Sequence, residues 1–112
     1  MIDELIKYET MIMATNNGFI GTPNEHGYVI PTQSLLQRWL REIHEIFISV
    51  RRNSQSKFQF SILLNKNLDV EIDEGIVSYY KNVNMLNMEI FDTYENALET
   101  ALQDAIKIIP QL

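Results

Sequence analysis

The sequence predicts an α+β fold with two N-terminal helices, a three-stranded antiparallel β-meander and a C-terminal helix packed on the sheet. Three stretches of regular hydrophobic period support this prediction. Residues 32–44 carry apolar side chains at the spacing of one helical face. From Ile46 to Ile72 apolar and polar residues alternate in three short segments, as they do in strands with one buried face. Helical spacing then returns at residues 93–109.

The first predicted helix covers residues 3–16, with Asp3 as its N-cap. The apolar stripe of this helix consists of Leu5, Tyr8 and Ile12, with Met11 as a further member. Gly18 is expected to end the helix, since glycine readily adopts the left-handed conformation found after helix C-termini.

The second helix follows an irregular segment, residues 19–31, which is predicted to be a packed connection. A binding loop is the alternative, because long loops in small domains are often functional. Thr32 is the expected N-cap of the second helix. The only tryptophan, Trp39, lies in the middle of its apolar stripe. We therefore expect Trp39 to be substantially buried between this helix and the sheet or the last helix.

The alternating segments predict a meander whose second strand is central. Its three strands are expected at residues 46–51, 58–64 and 68–72. A three-residue turn between the last two would place Ile62 opposite Val70, which keeps both apolar faces on the same side. Residues 85–91 leave room for an extra short edge strand.

The last helix is expected to begin with a capping box, in which Asp92 is the N-cap and Glu95 lies three residues later. Alanines in its apolar stripe allow a close approach to the sheet, and Pro110 ends it. The predicted core combines the apolar faces of the helices and strands. Its members are Trp39, Phe58, Phe60, Ile62, Val70, Leu98, Leu102 and Ile106.

Composition predicts one globular domain over residues 1–112. There is no cysteine, which excludes disulfides and thiolate metal sites. The N-terminal sequence lacks a basic region followed by an apolar core, and no apolar run approaches the length of a membrane span. We expect a cytoplasmic protein that does not interact with membranes. The formal net charge of −6 disfavours avid general binding to nucleic acid.

Two helical motifs resemble a known family. The second helix contains Trp39-Leu40-Arg41-Glu42, and the last begins with Tyr94-Glu95-Asn96-Ala97-Leu98-Glu99. The chain thereby resembles a family of small uncharacterised proteins, found in Bacteroidetes and in phage or other mobile elements, that share a Trp-Leu-Arg-Glu helix and a closing Tyr-Glu-x-Ala-Leu-Glu helix. The resemblance implies helices at these positions. It implies no activity, so no catalytic residue is carried over.

No residue pattern indicates catalysis or a cofactor. The densest carboxylate cluster is formed by Asp69, Glu71, Asp73 and Glu74. Cations such as Ca²⁺ and Mg²⁺ bind several carboxylate oxygens. A row of like charges is also typical of an edge strand that is kept from pairing with other chains, and we favour that interpretation. Neither His26 nor His44 has a partner at metal-ligand spacing. We predict that the protein is not an enzyme and has no catalytic, cofactor or metal site.

A basic segment suggests the weaker of two binding hypotheses. Residues 38–57 have a local charge of +3, whereas the remainder of the chain carries −9. The basic side chains are Arg38, Arg41, Arg51, Arg52 and Lys57. Clustered positive charge is typical of nucleic-acid binders. The acidic remainder would oppose that binding, so a weak nucleic-acid-binding protein is the alternative function.

An apolar segment at residues 76–91 suggests the preferred hypothesis, a non-catalytic accessory or protein-interaction module. Methionine side chains repack easily, and sheet edges recruit other chains. The candidate interface residues are Tyr79, Tyr80, Met85, Met88, Ile90 and Phe91. Completion of the core beneath the last helix explains the same residues equally well. The expected partner is a second copy or another protein.

Overall fold

The computed structural model describes residues 5–20, 23–24, 27–28, 30–64, 68–72, 75–79, 85–86 and 90–112, with only the backbone of the strands within 21–29 and 65–89. The fold is α+β. Its helices are α1 (Tyr8–Asn16), α2 (Gln33–His44) and α3 (Tyr94–Ile108), followed by a 3-10 turn (Ile109–Gln111). Its strands are β1 (Pro23–Asn24), β2 (Gly27–Tyr28), β3 (Ile46–Arg52), β4 (Phe58–Leu64), β5 (Leu68–Ile72), β6 (Gly75–Tyr79) and β7 (Met85–Leu86).

The main sheet has the antiparallel order β3-β4-β7, so β4 is central as the alternation predicted. β3 and β4 form a hairpin with seven paired positions, in which Ile48 lies opposite Ile62. Between these strands Asn53 accepts the backbone N–H groups of Gln55 and Lys57 on its side-chain oxygen, which closes the turn. Two further antiparallel hairpins are formed by β1 with β2 and by β5 with β6.

The predicted three-stranded meander is wrong in its third strand. β5 pairs with β6, which places Val70 opposite Val77, whereas the second neighbour of β4 is β7, with Ile62 opposite Met85. The extra edge strand expected at 85–91 is therefore part of the main sheet. Alternation specifies which side of a strand is apolar. It does not specify which other strand pairs with it, because several strands have an apolar face that would fit.

The core lies between α3 and the face of the sheet formed by β3 and β4. Its buried apolar side chains include Ile46, Ile48, Phe60, Ile62, Leu64, Leu98, Leu102 and Ile106. The fully buried Ala97, Ala101 and Ala105 bring the α3 backbone close to the sheet. Leu36 and Leu40 of α2 complete the core beside them.

Two predicted core residues are more exposed than expected, while Val70 lies outside the described side chains. Phe58 and Trp39 are half-buried at the edge of the core. Trp39 is not enclosed because Leu36 and Leu40 face the core directly and Trp39 flanks them on the helix. Its indole packs edge-on against Phe19, with ring centroids 5.2 Å apart.

The helix ends differ in how well local sequence predicted them. Thr32 caps α2 as expected, accepting the Leu35 N–H at 3.2 Å. The predicted Asp92 cap is wrong, because Thr93 caps α3 through the Asn96 N–H at 3.1 Å. Gly18, with φ of 98°, follows α1 in the expected left-handed conformation. α1 itself begins at Tyr8, whereas the expected cap at residue 3 lies outside the described residues.

Candidate interaction surface

Three residues of the stripe predicted for the first helix face solvent, whereas the fourth, Met11, is packed against the core. Tyr8 and Ile12 of α1 are 65% and 41% exposed, and Leu5, which lies just before α1, is 59% exposed. The opposite side of the helix is docked on the protein through Thr10 and Ala14, both fully buried. A polar side chain therefore occupies the centre of the contact between α1 and the rest of the structure.

A buried carboxylate on α3 contacts the inward side of α1. Glu99 is only 5% exposed, and its Oε2 accepts the backbone N–H of Lys7 at 3.0 Å and the hydroxyl of Thr10. Its Oε1 accepts Nε2 of Gln33 at 3.1 Å. One carboxylate thus bonds to α1 and α2 from α3. A buried carboxylate without such donors would be strongly destabilising, so these bonds compensate for the burial of Glu99.

Two glutamines extend this polar network. Gln103 donates from Nε2 to the Thr10 hydroxyl oxygen at 2.8 Å, and Gln33 also donates to the backbone carbonyl of Glu95 at 2.9 Å. Sequence reasoning missed the network entirely. The available signal was the polar line at 95, 99 and 103 on α3, where a spacing of four residues places Glu99 and Gln103 on one helical face, beside the large apolar residues at 98, 102 and 106.

A second apolar stripe lies on α2. Leu35 and Ile43 are exposed and Trp39 between them is half-buried, at a spacing of four residues. The stripes are joined at one end, where Leu5 forms a β-bridge with Thr32, whose hydroxyl accepts the Leu35 N–H. The Phe19 contact with Trp39 joins them after α1 ends. We call this combined face the α1–α2 apolar surface: Leu5, Tyr8, Ile12, Leu35, Trp39 and Ile43.

The structure distributes the five predicted nucleic-acid-binding residues over several places. Arg38 bonds Glu42 at 3.0 Å on the exposed side of α2, and Lys57 forms an ion pair with Asp92. Arg51 and Arg52 are successive residues of β3, so their side chains leave on opposite faces of the sheet. The fifth residue is the exposed Arg41 of α2.

The predicted interface at residues 76–91 is described only in part. Ile90 is exposed, whereas Phe91 is half-buried with its ring 6.0 Å from that of Phe60. Phe91 also exchanges two backbone hydrogen bonds with Phe58, each 2.9 Å long, so it belongs to the sheet as well. The side chains of Tyr79, Tyr80, Met85 and Met88 lie outside the described residues, and their role at an interface stays a prediction.

His44 ends α2 against the tryptophan. Its imidazole packs edge-on to Trp39 with ring centroids 4.8 Å apart, and its Nε2 is buried without a hydrogen-bond partner. Desolvation by burial lowers the pKa of His44 below its ordinary value. The neutral imidazole therefore acts here as an aromatic packing residue.

Within the described part of the chain, no group of three or more histidine and carboxylate side chains is placed to hold a metal ion. The side chains of His26 and of the acidic cluster at 69–74 fall outside that part. None of the described helices combines the length and the apolar character needed to cross a bilayer. Comparisons of the chain with protein-family models, curated proteins and solved structures find no match. The family resemblance of the two helical motifs stays a prediction.

Proposed function

We propose that the protein is a non-catalytic interaction module that associates with a second copy of itself through the α1–α2 apolar surface. The observation that carries this proposal is the outward stripe of Leu5, Tyr8 and Ile12. The inward side of α1 is also largely apolar, with Ala14 buried and Met11 and Met13 packed on the core. A helix that is apolar on both sides is typical of one covered on both sides.

Burial supplies the free energy for such an association. Covering a large apolar side chain contributes about 1.5–3 kcal/mol, before the cost of immobilising the partner is subtracted. Contiguous exposed apolar residues are therefore typical of docking sites. The α1–α2 apolar surface offers five exposed apolar residues and the half-buried Trp39, contributed by α1, α2 and Leu5 just before α1.

Two features favour a second copy as the partner. A helix with this spacing of apolar residues packs well against a copy of itself across a twofold axis, because the ridges of each helix fit into the grooves of the other. The charge of α1 also permits it, since Glu9 is the only charged residue in the helix. Like-charge repulsion between two chains of net charge −6 is consequently weak at this face.

The exposed edge of β3 is a poorer docking site than the helices. Phe58 directs its backbone N–H and C=O toward Phe91, so by alternation Ile48 of β3 directs its own away from β4. The outward carbonyl of Ile48 accepts Nε2 of Gln37 at 3.0 Å. A strand added at this edge would have to displace that side chain, which favours association through helices.

The proposal is tested by sedimentation equilibrium at low and high salt. We expect a dimer that persists in high salt, because apolar burial drives it. Replacing both Tyr8 and Ile12 with serine should raise the dimer dissociation constant by at least about tenfold. The matched control is Phe47→Ser, which removes a side chain of β3 that is 41% exposed, as Ile12 is.

Two results would contradict the proposal: a parent protein that remains monomeric at all concentrations, or a dimer that the double variant leaves intact. An Ile90→Ser variant separates the α1–α2 apolar surface from the segment 76–91, because it should weaken only an interface at that segment. Titration with fluorescent random oligonucleotides at physiological salt tests the nucleic-acid alternative. We expect no saturable binding, since two of the five basic residues are already engaged with carboxylates.

A further inference from the structure

Glu99 supplies α1 with the N-terminal cap that the helix lacks in its own sequence. In a capping box, the third helical residue is a glutamate whose carboxylate accepts the backbone N–H of the N-cap residue. In α1 the N-cap is Lys7, which makes no side-chain cap hydrogen bond, and the third helical residue is Thr10. The carboxylate comes instead from α3, where Glu99 accepts both the Lys7 N–H and the Thr10 hydroxyl.

The location of this carboxylate is electrostatically favourable. The first N–H groups of a helix have no partner within it, and the helix dipole places partial positive charge at the same end. The Oε2 atom of Glu99 lies there, hydrogen-bonded to Lys7 N at 3.0 Å. Since Glu99 belongs to the best-packed helix of the protein, the bond ties the start of α1 to a rigid element.

Apolar burial alone does not select the rotation of α1 about its axis. Tyr8 and Ile12 are exposed on one side, and Met11, Met13 and Ala14 contact the core on the other. The outer side chains are large and apolar as well, so burying them instead would also satisfy the hydrophobic effect. Hydrogen bonds are directional, and only the observed rotation brings Thr10 to Glu99 and Gln103.

We propose that Glu99 is the positioning residue that holds α1 with its apolar stripe outward, and thereby presents the α1–α2 apolar surface for docking. The part of this inference that concerns docking rests on the proposed function. Glu99 acts through α1 and is not itself a contact residue, because it is buried beneath the helix.

The experiment compares amide hydrogen exchange of α1 with that of α3 in the parent protein, Glu99→Gln and Thr10→Val. Thr10→Val keeps the side-chain shape and removes one donor to the carboxylate, while Glu99 keeps its donors Lys7 and Gln33, so it tests the same contact without removing the carboxylate. The controls are Thr15→Val, whose hydroxyl bonds the Met11 carbonyl within α1, and Glu95→Gln, the same change one turn earlier on α3. Sedimentation measures dimerisation of each variant.

In both Glu99→Gln and Thr10→Val we expect exchange of the α1 amides to accelerate by at least about tenfold relative to those of α3, as expected for loss of a charge-assisted hydrogen bond. The double variant should show less than the product of the two single effects, because the residues share one contact. In both controls, the exchange rate of the α1 amides relative to that of the α3 amides should be unchanged. Equal acceleration in α1 and α3 would overturn the inference by making Glu99 a general core residue, and so would unchanged α1 exchange.

Amide hydrogen exchange of α1 tests this inference separately from the proposed function. If the parent protein is monomeric while Glu99→Gln and Thr10→Val selectively release α1, then the proposed dimer is wrong and the positioning role stands. If the parent is a dimer whose dissociation constant and α1 exchange are both unaffected by these variants, the positioning role is wrong and the dimer stands.

Discussion

Single residues at the edge of the core carry the polar and aromatic contacts that give this fold its specificity. Trp39 packs between Phe19 and His44, in edge-on contacts with centroid distances of 5.2 and 4.8 Å. Such contacts stabilise beyond the area they bury, because the positive edge of one ring meets the negative face of another. At His44 the same contact also removes a titratable nitrogen from water.

Burial of His44 predicts a specific pH dependence of stability. The folded protein has a His44 pKa below the ordinary value of 6.5, so at lower pH the unfolded chain binds more protons than the folded one. The contribution of His44 is therefore fully present above that value and is lost as the pH falls through the folded pKa. We expect the free energy of unfolding in urea to fall between about pH 7.5 and about pH 5, and His44→Phe to reduce this fall.

Phenylalanine is the appropriate replacement because it retains an aromatic ring against Trp39 and cannot titrate. All other titrating groups, including His26, are common to both proteins, so only the difference between the two pH profiles is assigned to His44. Parallel profiles, or a steeper fall in His44→Phe, would contradict the prediction.

At the scale of elements, the start of α3 has a different N-cap from the one that its local sequence predicts, and the predicted cap residue makes a tertiary contact instead. Asp92 and Glu95 have capping-box spacing, but the Lys57 ammonium binds the Asp92 carboxylate and Thr93 takes the capping position. The hydrogen bond from Lys57, reinforced by its charge, holds the pKa of Asp92 below its usual range. The ion pair is exposed, so water screens it strongly.

We predict that Thr93→Ala destabilises the protein by about 1 kcal/mol, as is typical for loss of an N-cap. Thr93→Ser should retain the stability of the parent, because serine supplies the same acceptor for the Asn96 N–H. Asp92→Ala should cost less than Thr93→Ala, since its ion pair is solvated. Urea unfolding at one pH compares the three variants. A larger loss in Asp92→Ala than in Thr93→Ala would restore Asp92 as the cap.

At the scale of the whole molecule, the two hairpins that follow α2 are built differently. β3 and β4 are neighbours in sequence and in the sheet, with seven paired positions. β5 also follows β4 closely, yet it pairs forward with β6, and the chain returns to β4 only at β7. Engineered disulfides report such pairings directly, because they require Cα atoms within about 7 Å.

We predict that Val70→Cys with Val77→Cys forms an intramolecular disulfide on mild oxidation, since these positions are paired in the β5–β6 hairpin. The comparison pair is Ile62→Cys with Val70→Cys, which the meander would place opposite each other. The parent chain has no cysteine, so mass spectrometry under non-reducing conditions measures each bridge without interference. Faster bridging in the comparison pair would show that β5 lies beside β4.

The sequence by itself determined the elements whose evidence is local. The α3 stripe, the Thr32 cap and the alternation through β3 and β4 depend on residues within a few positions of one another, and all three are observed. Only the tertiary structure decided the neighbour of β5, the true cap of α3 and the side of α1 that faces inward. The last of these carries the candidate surface. It depends on a carboxylate 89 positions away from Thr10, and periodicity within a helix contains no information about so distant a partner.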